Sequence, residues 1–409
     1  MSPFLRYPRI HEAAWGEVIR PLKRRPNADL SEVLACWLDI SSSKYSVGLL
    51  LFQLKSTSSH MQCEMCNSLV LPSILALTSF LLPACSNTNS TSGTDAQKQT
   101  VGVILDTGGE NDKSFNEYTL RGAKEGAKAA GLNFFYLVSG TSSDYEKNIE
   151  LQISEGADLI ITVGFLMGDA TAAMAKKYPN VRFAIIDNAY PPGKDGVDPY
   201  TKDLKNVTSL MFAEDQAGYL AGVLAGCISQ TGKVATVSGM EIPPVKNFVV
   251  GFQNGAKSAN PKIVAFNQYI PDFNDPATGK TVGQNFINQG ADVIFALGGN
   301  TGNGGLLAAK EAGKKGIGVD VDQYLTYPEI KDALITSAVK KMDVATSKAV
   351  QEFAAGSLEP GIELATITNG GVSLAPYHDW ESKIPQTCKD KVKAAETAIK
   401  NNPKVSRVK

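Results

Sequence analysis

The sequence predicts an α/β protein built from two doubly wound parallel-sheet lobes, and three observations support this prediction. The chain has 409 residues, too many for one hydrophobic core and enough for two lobes. From residue 100 onward, short apolar runs alternate with helical stretches, a pattern typical of a parallel sheet covered on both faces. The alternation starts again near residue 214, which indicates a second βα array.

The first array contains four short apolar runs, as expected for strands that are buried on both faces. These strands are predicted at residues 101–105, 132–138, 159–163 and 182–186. The first helix should begin at Ser114, whose spacing to Glu117 matches a capping box, and should end at Gly131. Further helices are predicted at residues 144–155 and 169–177.

The second array repeats this rhythm between residues 214 and 319. Its predicted helices are residues 214–227, 245–259, 279–288 and 304–312, and its predicted strands are residues 233–237, 262–267, 293–297 and 316–319. In open α/β sheets, ligands bind beyond the carboxyl ends of the strands. Two such lobes facing each other should therefore enclose a cleft lined by the residues that follow the strands.

Carboxylates, glycines and one aromatic residue occupy these strand ends. They are Asp106, Phe115, Asp187, Gly298, Gly299 and Asp320. A single aspartate at a strand end often caps the next helix or turn, but such a purely structural role is less favoured for several together. The glycine-rich residues 298–305 could bind phosphate, yet they lack the ending of a P-loop and their neighbours are acidic. Residues 272–275 are interpreted as a turn.

Composition argues against several classes of function. The formal net charge is −1, so no basic field attracts nucleic acid. Histidine is limited to His11, His60 and His378, and no catalytic motif or metal-ligand spacing is present. We therefore predict a binding protein without catalytic residues, metal or cofactor. Glycosidic chemistry by paired carboxylates is the enzymatic alternative.

The cysteines indicate no metal centre. Cys63 and Cys66 form a C-x-x-C, but no second pair completes a zinc site. Cys227 and Cys388 are interpreted as a buried small residue and an unpaired surface thiol. A disulfide between them is the less favoured alternative.

The front of the chain resembles an export segment. Residues 67–85 form an apolar run that ends in Leu82-Pro-Ala-Cys85, and a Ser/Thr/Asn-rich stretch follows. We expect a signal peptide with a lipobox at residues 61–85, lipidation of Cys85, and a polar tether at residues 86–99. A plain signal peptide or an uncleaved anchor is the alternative. Residues 1–60 are interpreted as an over-extended gene start, with translation beginning near Lys55 or Met61, or else as a poorly folded leader.

An ordered series of motifs resembles the basic membrane protein family, the PnrA-like purine-nucleoside-binding lipoproteins of ABC importers. The series is Asp106-Thr-Gly-Gly-x-x-Asp112-Lys-Ser-Phe-Asn116, Phe183-Ala-Ile-Ile-Asp187, Phe212-x-x-x-x-Ala-Gly-Tyr-Leu-Ala-Gly222, Gly239-Met240, Gly251-Phe-x-x-Gly255, Val293-Ile-Phe-Ala-x-Gly-Gly-x-Thr-Gly-Asn-Gly304, Gly318-Val-Asp-x-Asp-Gln-Tyr324 and Thr336-Ser-x-Val-Lys340. Each motif is modest alone, but their order is specific. The resemblance covers about residues 100–370.

The resemblance implies a type I periplasmic-binding-protein fold, with the two lobes joined by a three-crossover hinge. The crossovers are expected near Phe212, Lys340 and Gly361. Lobe 1 would then comprise residues 100–212 and 341–360, and lobe 2 residues 213–340 and 361–409.

The resemblance also implies a purine nucleoside in the cleft. Phe115 would stack on the base, with Asp106, Asn116 and Asp187 around its edge. Asp320 and Lys340 would bind the ribose, with Lys340 balancing the charge of Asp320. Gly298 and Gly299 would permit close backbone approach, and Phe295 or Phe252 would supply the second aromatic face.

Partners follow from the same resemblance. An ABC permease and its ATPase are expected, with the protein acting as a monomer held at the extracytoplasmic face of the cell membrane only by its lipid. A binding protein for a free sugar or another small polar solute is the alternative, and a ligand-sensing surface lipoprotein is another.

Overall fold

The computed structural model describes residues 98–193 and 196–407. The strands are β1 (Thr100–Leu105), β2 (Asn133–Val138), β3 (Leu159–Val163), β4 (Arg182–Ile186), β5 (Val207–Phe212), β6 (Lys233–Ser238), β7 (Val264–Tyr269), β8 (Val293–Leu297), β9 (Lys315–Asp320), β10 (Leu334–Lys340), β11 (Gly361–Ala365) and β12 (Val372–Leu374). The α-helices are α1 (Phe115–Ala130), α2 (Tyr145–Ser154), α3 (Gly168–Lys177), α4 (Pro199–Lys202), α5 (Glu214–Ile228), α6 (Pro243–Ala259), α7 (Pro276–Asn288), α8 (Gly299–Glu311), α9 (Gln323–Thr326), α10 (Met342–Ala354) and α11 (Gln386–Asn401).

Two six-stranded sheets form the centres of the two lobes. The sheet of lobe 1 has the order β11-β5-β4-β3-β1-β2, and the sheet of lobe 2 has the order β12-β10-β9-β8-β6-β7. Neighbouring strands are parallel except for the antiparallel pair β10–β12. The predicted pair of doubly wound parallel lobes is confirmed.

Three crossovers connect the lobes, and one lies elsewhere than predicted. The chain leaves lobe 1 after β5 and returns after β10, as expected near Phe212 and Lys340. The third crossover was placed near Gly361, with residues 361–409 in lobe 2. That boundary is wrong, because β11 pairs along its length with β5 of lobe 1. The crossover therefore lies between β11 and β12, at residues 366–371.

Glycines allow α5 and α6 to pack with their backbones in close contact. An added Cβ at Gly222 would overlap the carbonyl oxygen of Phe252, and one at Gly255 would overlap that of Tyr219. Both glycines belong to motifs singled out in the sequence. Their role is therefore to bring two helices of lobe 2 together, since a side chain at either position would force the helices apart.

The glycine-rich residues 298–305 are largely helical, not a loop. Helix α8 begins at Gly299, five residues before the predicted start at 304. An added Cβ at Gly304 would overlap the carbonyl oxygen of Pro276 in α7. The predicted start was too late because glycine has a low helix propensity. In the folded protein most of these residues are helical, and the lack of a side chain at Gly304 allows α7 to pack closely on α8.

A disulfide joins Cys227 at the end of α5 to Cys388 in α11. The expectation of an unpaired surface thiol is wrong, because Cys388 is buried against α5. The bond attaches the C-terminal helix to lobe 2. Structural disulfides persist in oxidising compartments outside the cytosol.

Within residues 98–193 and 196–407, no helix is long and apolar enough to cross a membrane. The predicted leader, signal peptide and Cys85, together with most of the polar tether, lie outside the described residues.

Candidate functional site

A cavity lies between the lobes, at the carboxyl ends of the central strands. The space free of protein atoms there amounts to about 660 Å³, a volume that includes the opening to solvent. Most of the residues predicted to bind ligand line it, namely Asp106, Phe115, Asn116, Asp187, Gly298, Gly299, Asp320 and Lys340. These residues come from both sheets, so the geometry expected for a cleft between two α/β lobes is present.

The segment after β1 builds one wall of the cavity. Asp106 Oδ1 accepts hydrogen bonds from Asn116 Nδ2 at 2.8 Å and from the Gly108 amide at 2.9 Å. Burial raises the pKa of Asp106, and these two hydrogen bonds oppose that effect. Asn116 Oδ1 is buried and has no hydrogen-bond partner among the described residues. The side chains of Asp106 and Asn116 are thus fixed to each other.

Asp112, not Ser114, caps helix α1. Its carboxylate accepts hydrogen bonds from the backbone amides of Ser114, Asn116 and Glu117 at 2.8–3.2 Å. The predicted capping box at Ser114 is wrong, because its hydroxyl donates to Asp320 Oδ2 of lobe 2 at 2.8 Å. Burial raises the pKa of Asp112 to about 7, against these hydrogen bonds, and nearby Asp320 contributes to the rise.

Lys340, the last residue of β10, carries the positive charge at the centre of the site. Its ammonium forms an ion pair with Asp187 Oδ2 and lies 3.7 Å from Glu214 Oε1. The three side chains are nearly inaccessible to solvent. Lys340 was expected to balance Asp320, but Asp187 is its direct partner. Glu214 was not predicted from the sequence to belong to this cluster.

Burial and mutual charge set the protonation of this cluster. Burial alone would lower the pKa of Lys340, but Asp187, Glu214 and Asp320 together raise it. Burial raises the pKa of Glu214 to about 8, with opposition from Lys340. Burial also raises the pKa of Asp320, again opposed by Lys340. One cation faces three carboxyl groups, so Glu214 is largely protonated at neutral pH.

Both strand-end aspartates adopt left-handed backbone conformations. Asp187 has φ +63° and Asp320 has φ +66°, values that are uncommon for residues other than glycine. Such backbone conformations cluster at functional sites, where the surrounding structure must maintain them. The turns direct both carboxylates into the cavity, where Asp187 Oδ1 has no hydrogen-bond partner in the described structure.

Four phenylalanines line the cavity, but Phe295 is not one of them. The lining rings are Phe115, Phe165, Phe248 and Phe273. Phe295 is fully buried and packs against Phe248 and Phe252, with ring centroids 6.0 and 5.1 Å away. The assignment of Phe295, or its alternative Phe252, to the site is therefore corrected. Both belong to the core of lobe 2.

Glycines bring the backbone close to the cavity on both sides. Gly298 and Gly299 have φ +90° and +57° and connect β8 to α8. Gly164, which was not predicted to be a site residue, follows β3 with φ +108°. A Cβ there would lie 2.9 Å from Asp106 Oδ2, so a side chain would displace that carboxylate.

The segment from Asp112 to Ser114, in lobe 1, contacts lobe 2 directly across the cleft. Besides the bond from Ser114 to Asp320, Thr326 Oγ1 donates to the Lys113 carbonyl at 2.8 Å, and Asn303 Nδ2 donates to the Asp112 carbonyl at 3.3 Å. The Lys113 ammonium lies 4.1 Å from the centroid of the Tyr327 ring. These contacts hold the two lobes closed around the cavity.

Among the residues that the structure describes, no group of three or more His, Cys, Asp or Glu side chains is arranged to hold a metal ion. His378 lies outside the cavity lining, with its Nε2 2.7 Å from Asp322 Oδ2. The cavity lining combines carboxylates, an amide, one ammonium, aromatic and aliphatic side chains and backbone, which suits binding of a neutral polar molecule with an aromatic portion.

Comparisons with known proteins agree with this architecture. Residues 98–405 match the family model described as ABC transporter substrate-binding protein PnrA-like, or Bmp. The ABC transporter nucleoside-binding protein BmpA of Lactococcus lactis subsp. cremoris is 33% identical over 325 residues, covering 74% of this chain and 89% of that protein. An uncharacterized lipoprotein of Pyrococcus abyssi is 30% identical over 306 residues, covering 71% of this chain and 72% of its own. A solved solute-binding protein of an ABC transporter system from Aeropyrum pernix K1 superposes with a TM-score of 0.67 at 25% identity, covering 75% of this chain and 92% of that chain.

Proposed function

The chain belongs to the Bmp family of PnrA-like ABC transporter substrate-binding proteins, and from that premise we propose that its cleft binds purine nucleosides for import. The observation that carries the proposal is the lining of the cavity, which combines several aromatic rings with carboxylates. Lys340 is the one cation among the described lining residues, and it is already paired with Asp187. The nucleoside-binding name of the relative from Lactococcus lactis supports the same ligand class.

The base is assigned to the aromatic part of the cavity. Phe115 of lobe 1 provides one stacking face, and lobe 2 provides the opposite face through Phe248 or Phe273. Stacking of a base on an aromatic side chain contributes about 1–3 kcal/mol. Asp106, Asn116 and Asp187 are placed around the base edge, where buried acceptor atoms can receive the N–H groups of a purine.

The ribose is assigned to Asp320 and Lys340. A carboxylate that accepts hydrogen bonds from two ribose hydroxyls makes strong, charge-assisted contacts. Gly298 and Gly299 leave room for the sugar beside the backbone. Because Lys340 is already paired with Asp187, and the carboxyl groups of Asp106 and Asp320 also line the cavity, a phosphate would meet no unpaired cation among the described residues there. The site therefore favours nucleosides over nucleotides.

Calorimetry and thermal-shift measurements on the purified protein test this proposal. Inosine, guanosine or adenosine should bind and raise the melting temperature, whereas the corresponding monophosphates and free pentoses should not. Binding of a pentose without binding of any nucleoside would support the free-sugar alternative. Release of free base at a rate proportional to protein concentration would show an enzyme instead.

The transport role is assigned by family membership. As a substrate-binding protein of an ABC transporter, the chain serves a permease and an ATPase. We further propose that it works as a monomer and is held at the membrane through a lipid on Cys85, and a relative named as a lipoprotein supports this anchor. Deletion of the gene should reduce uptake of labelled purine nucleosides. Undiminished uptake would favour a ligand-sensing surface lipoprotein.

A further inference from the structure

Glu214 is a buried carboxyl group for which the proposed ligand contacts provide no role. Only 1% of its side chain is exposed, and it is not among the residues that line the cavity. A glutamate is rarely buried so completely without a specific partner. Its neighbours therefore indicate what it does.

The contacts of Glu214 connect it to the ligand site through Lys340. Its Oε1 lies 3.7 Å from the Lys340 ammonium, and its Oε2 accepts a hydrogen bond from Asn247 Nδ2 of α6 at 3.0 Å. On its other side, the Lys340 ammonium pairs with Asp187 of lobe 1. Asp320 of β9 also acts on Lys340 through its charge.

This cluster sits where the chain passes between the lobes. Glu214 is the first residue of α5, directly after the first crossover, and Lys340 is the last residue of β10, directly before the second. Asp187 follows β4 of lobe 1. Any movement that separates the lobes therefore changes the distance between Asp187 and the other two groups.

We propose that Glu214 is a positioning residue of the ligand site, which holds the Lys340 ammonium beside Asp187 and couples ligand binding to the uptake of a proton. The inference rests on the nucleoside-binding function proposed above. Glu214 itself touches no ligand in this scheme.

The coupling follows from burial. In the closed cleft, burial raises the pKa of Glu214 to about 8. In an open cleft, water reaches the cluster and the pKa falls toward the ordinary glutamate value. Closure around a ligand then binds a proton at any pH between these two pKa values, so affinity falls as pH rises through that window. One proton limits the effect to about tenfold per pH unit, and the contribution of Glu214 levels off above the higher pKa.

The test compares wild type with Glu214→Gln, which keeps the shape of the side chain and one acceptor oxygen but cannot ionise. Inosine, guanosine and adenosine are titrated calorimetrically between pH 6.5 and 9, in two buffers with different heats of ionisation. At pH 6.5 the wild type should already bind more weakly than Glu214→Gln, by up to about tenfold for each pH unit between 6.5 and the pKa of Glu214 in the open cleft, because only the wild type must take up a proton. With rising pH the wild type should weaken more steeply and take up more protons on binding. Glu311→Gln removes a surface lysine-paired glutamate of lobe 2 and serves as the matched control.

A second variant tests the positioning role. Glu214→Ala removes the group that holds Lys340 and should bind about tenfold more weakly than Glu214→Gln at pH 6.5, as expected for loss of a contact to a charged group, because neither variant can take up a proton at this position. Equal pH profiles and proton uptake in wild type and Glu214→Gln would overturn the inference, even if the Ala variant fails to fold. Failure of wild type to bind any of the three nucleosides would instead overturn the proposed function.

Discussion

Individual side chains in the cleft divide the proposed recognition between base and sugar. Phe115 and Asp320 come from different lobes and both line the cavity. Asp320 accepts a hydrogen bond from Ser114 and is buried, so its carboxylate has a fixed direction. The contributions of the two residues to affinity can therefore be distinguished with ligands that differ only in the sugar.

The first prediction concerns Asp320→Ala and Phe115→Ala. Loss of a charged hydrogen-bond partner costs about 1.5–3 kcal/mol, or roughly one to two decades in affinity. Asp320→Ala should nearly erase the preference for ribonucleosides over 2′,3′-dideoxynucleosides, because the carboxylate proposed to accept hydrogen bonds from these hydroxyls is gone. Phe115→Ala should weaken both ligands alike by about 1–3 kcal/mol through lost stacking. Calorimetry with two ligands on each variant measures this. A wild-type ratio in Asp320→Ala would mean that Asp320 only supports the backbone.

At the scale of secondary-structure elements, contacts between the loop before α1 and lobe 2 keep the two lobes closed. Three groups in the segment from Asp112 to Ser114 contact lobe 2. They are the Ser114 hydroxyl, the Lys113 carbonyl and the Lys113 ammonium. Lys113 has φ +60°, a left-handed conformation that sets the direction of its carbonyl. Asp112 itself lines the cavity, and Ser114 directly precedes the cavity-lining Phe115.

The second prediction is that contacts across the cleft contribute to affinity without contacting the ligand. Thr326→Val removes the hydroxyl that donates to the Lys113 carbonyl and preserves side-chain shape. A hydrogen bond contributes about 0.5–1.5 kcal/mol, so binding of every nucleoside should weaken by roughly two- to tenfold. Thr281→Val, which removes a hydroxyl bonded within α7, is the control. Calorimetry showing wild-type affinity in Thr326→Val would contradict the prediction.

The third prediction concerns the disulfide between α5 and α11. The bond closes a loop with a sequence separation of 161 residues. Replacing both cysteines with serine should lower the free energy of unfolding by about 2–5 kcal/mol. Denaturant titration of the variant and of the oxidised wild type measures the difference. Nucleoside affinity should persist, because neither cysteine lines the cavity. Equal stabilities would show that α11 is held by packing alone.

For the whole molecule, the proposed attachment to the membrane depends on residues before the folded lobes. No helix in residues 98–193 or 196–407 could span a bilayer. The apolar run before Cys85 and the polar stretch after it fit a lipid anchor on a long tether.

The fourth prediction is that Cys85 carries this lipid. Expressed in bacteria with its natural leader, the protein should partition into detergent, and Cys85→Ser should abolish that partitioning because no acyl chain can be attached. Phase separation followed by mass spectrometry of the N-terminal peptide checks both points. Unchanged partitioning of the variant would mean that the apolar run itself is the anchor.

The pattern of apolar runs and helical stretches predicted the two lobes, because backbone periodicity is a local property of the chain. The residues after the strands were found in the same way, since parallel strands bring their carboxyl ends to one edge. Asp106, Asp187 and Asp320 could thus be assigned to the cleft before their surroundings were known. Strand β5 and strand β10 were recognised only as the places where the chain changes lobe.

Only the tertiary structure decided which side chains pair and which face the cavity. Asp187 and Lys340 are separated by 153 residues, Ser114 and Asp320 by 206, and the cysteines by 161. No local pattern links such pairs. Phe295 was misassigned because β8 is buried on both faces, so its sequence does not show which face points to the ligand. Phe248 and Phe273 reach the cavity because α6 and the loop before α7 pack against the strand ends, and that packing depends on the folded chain as a whole.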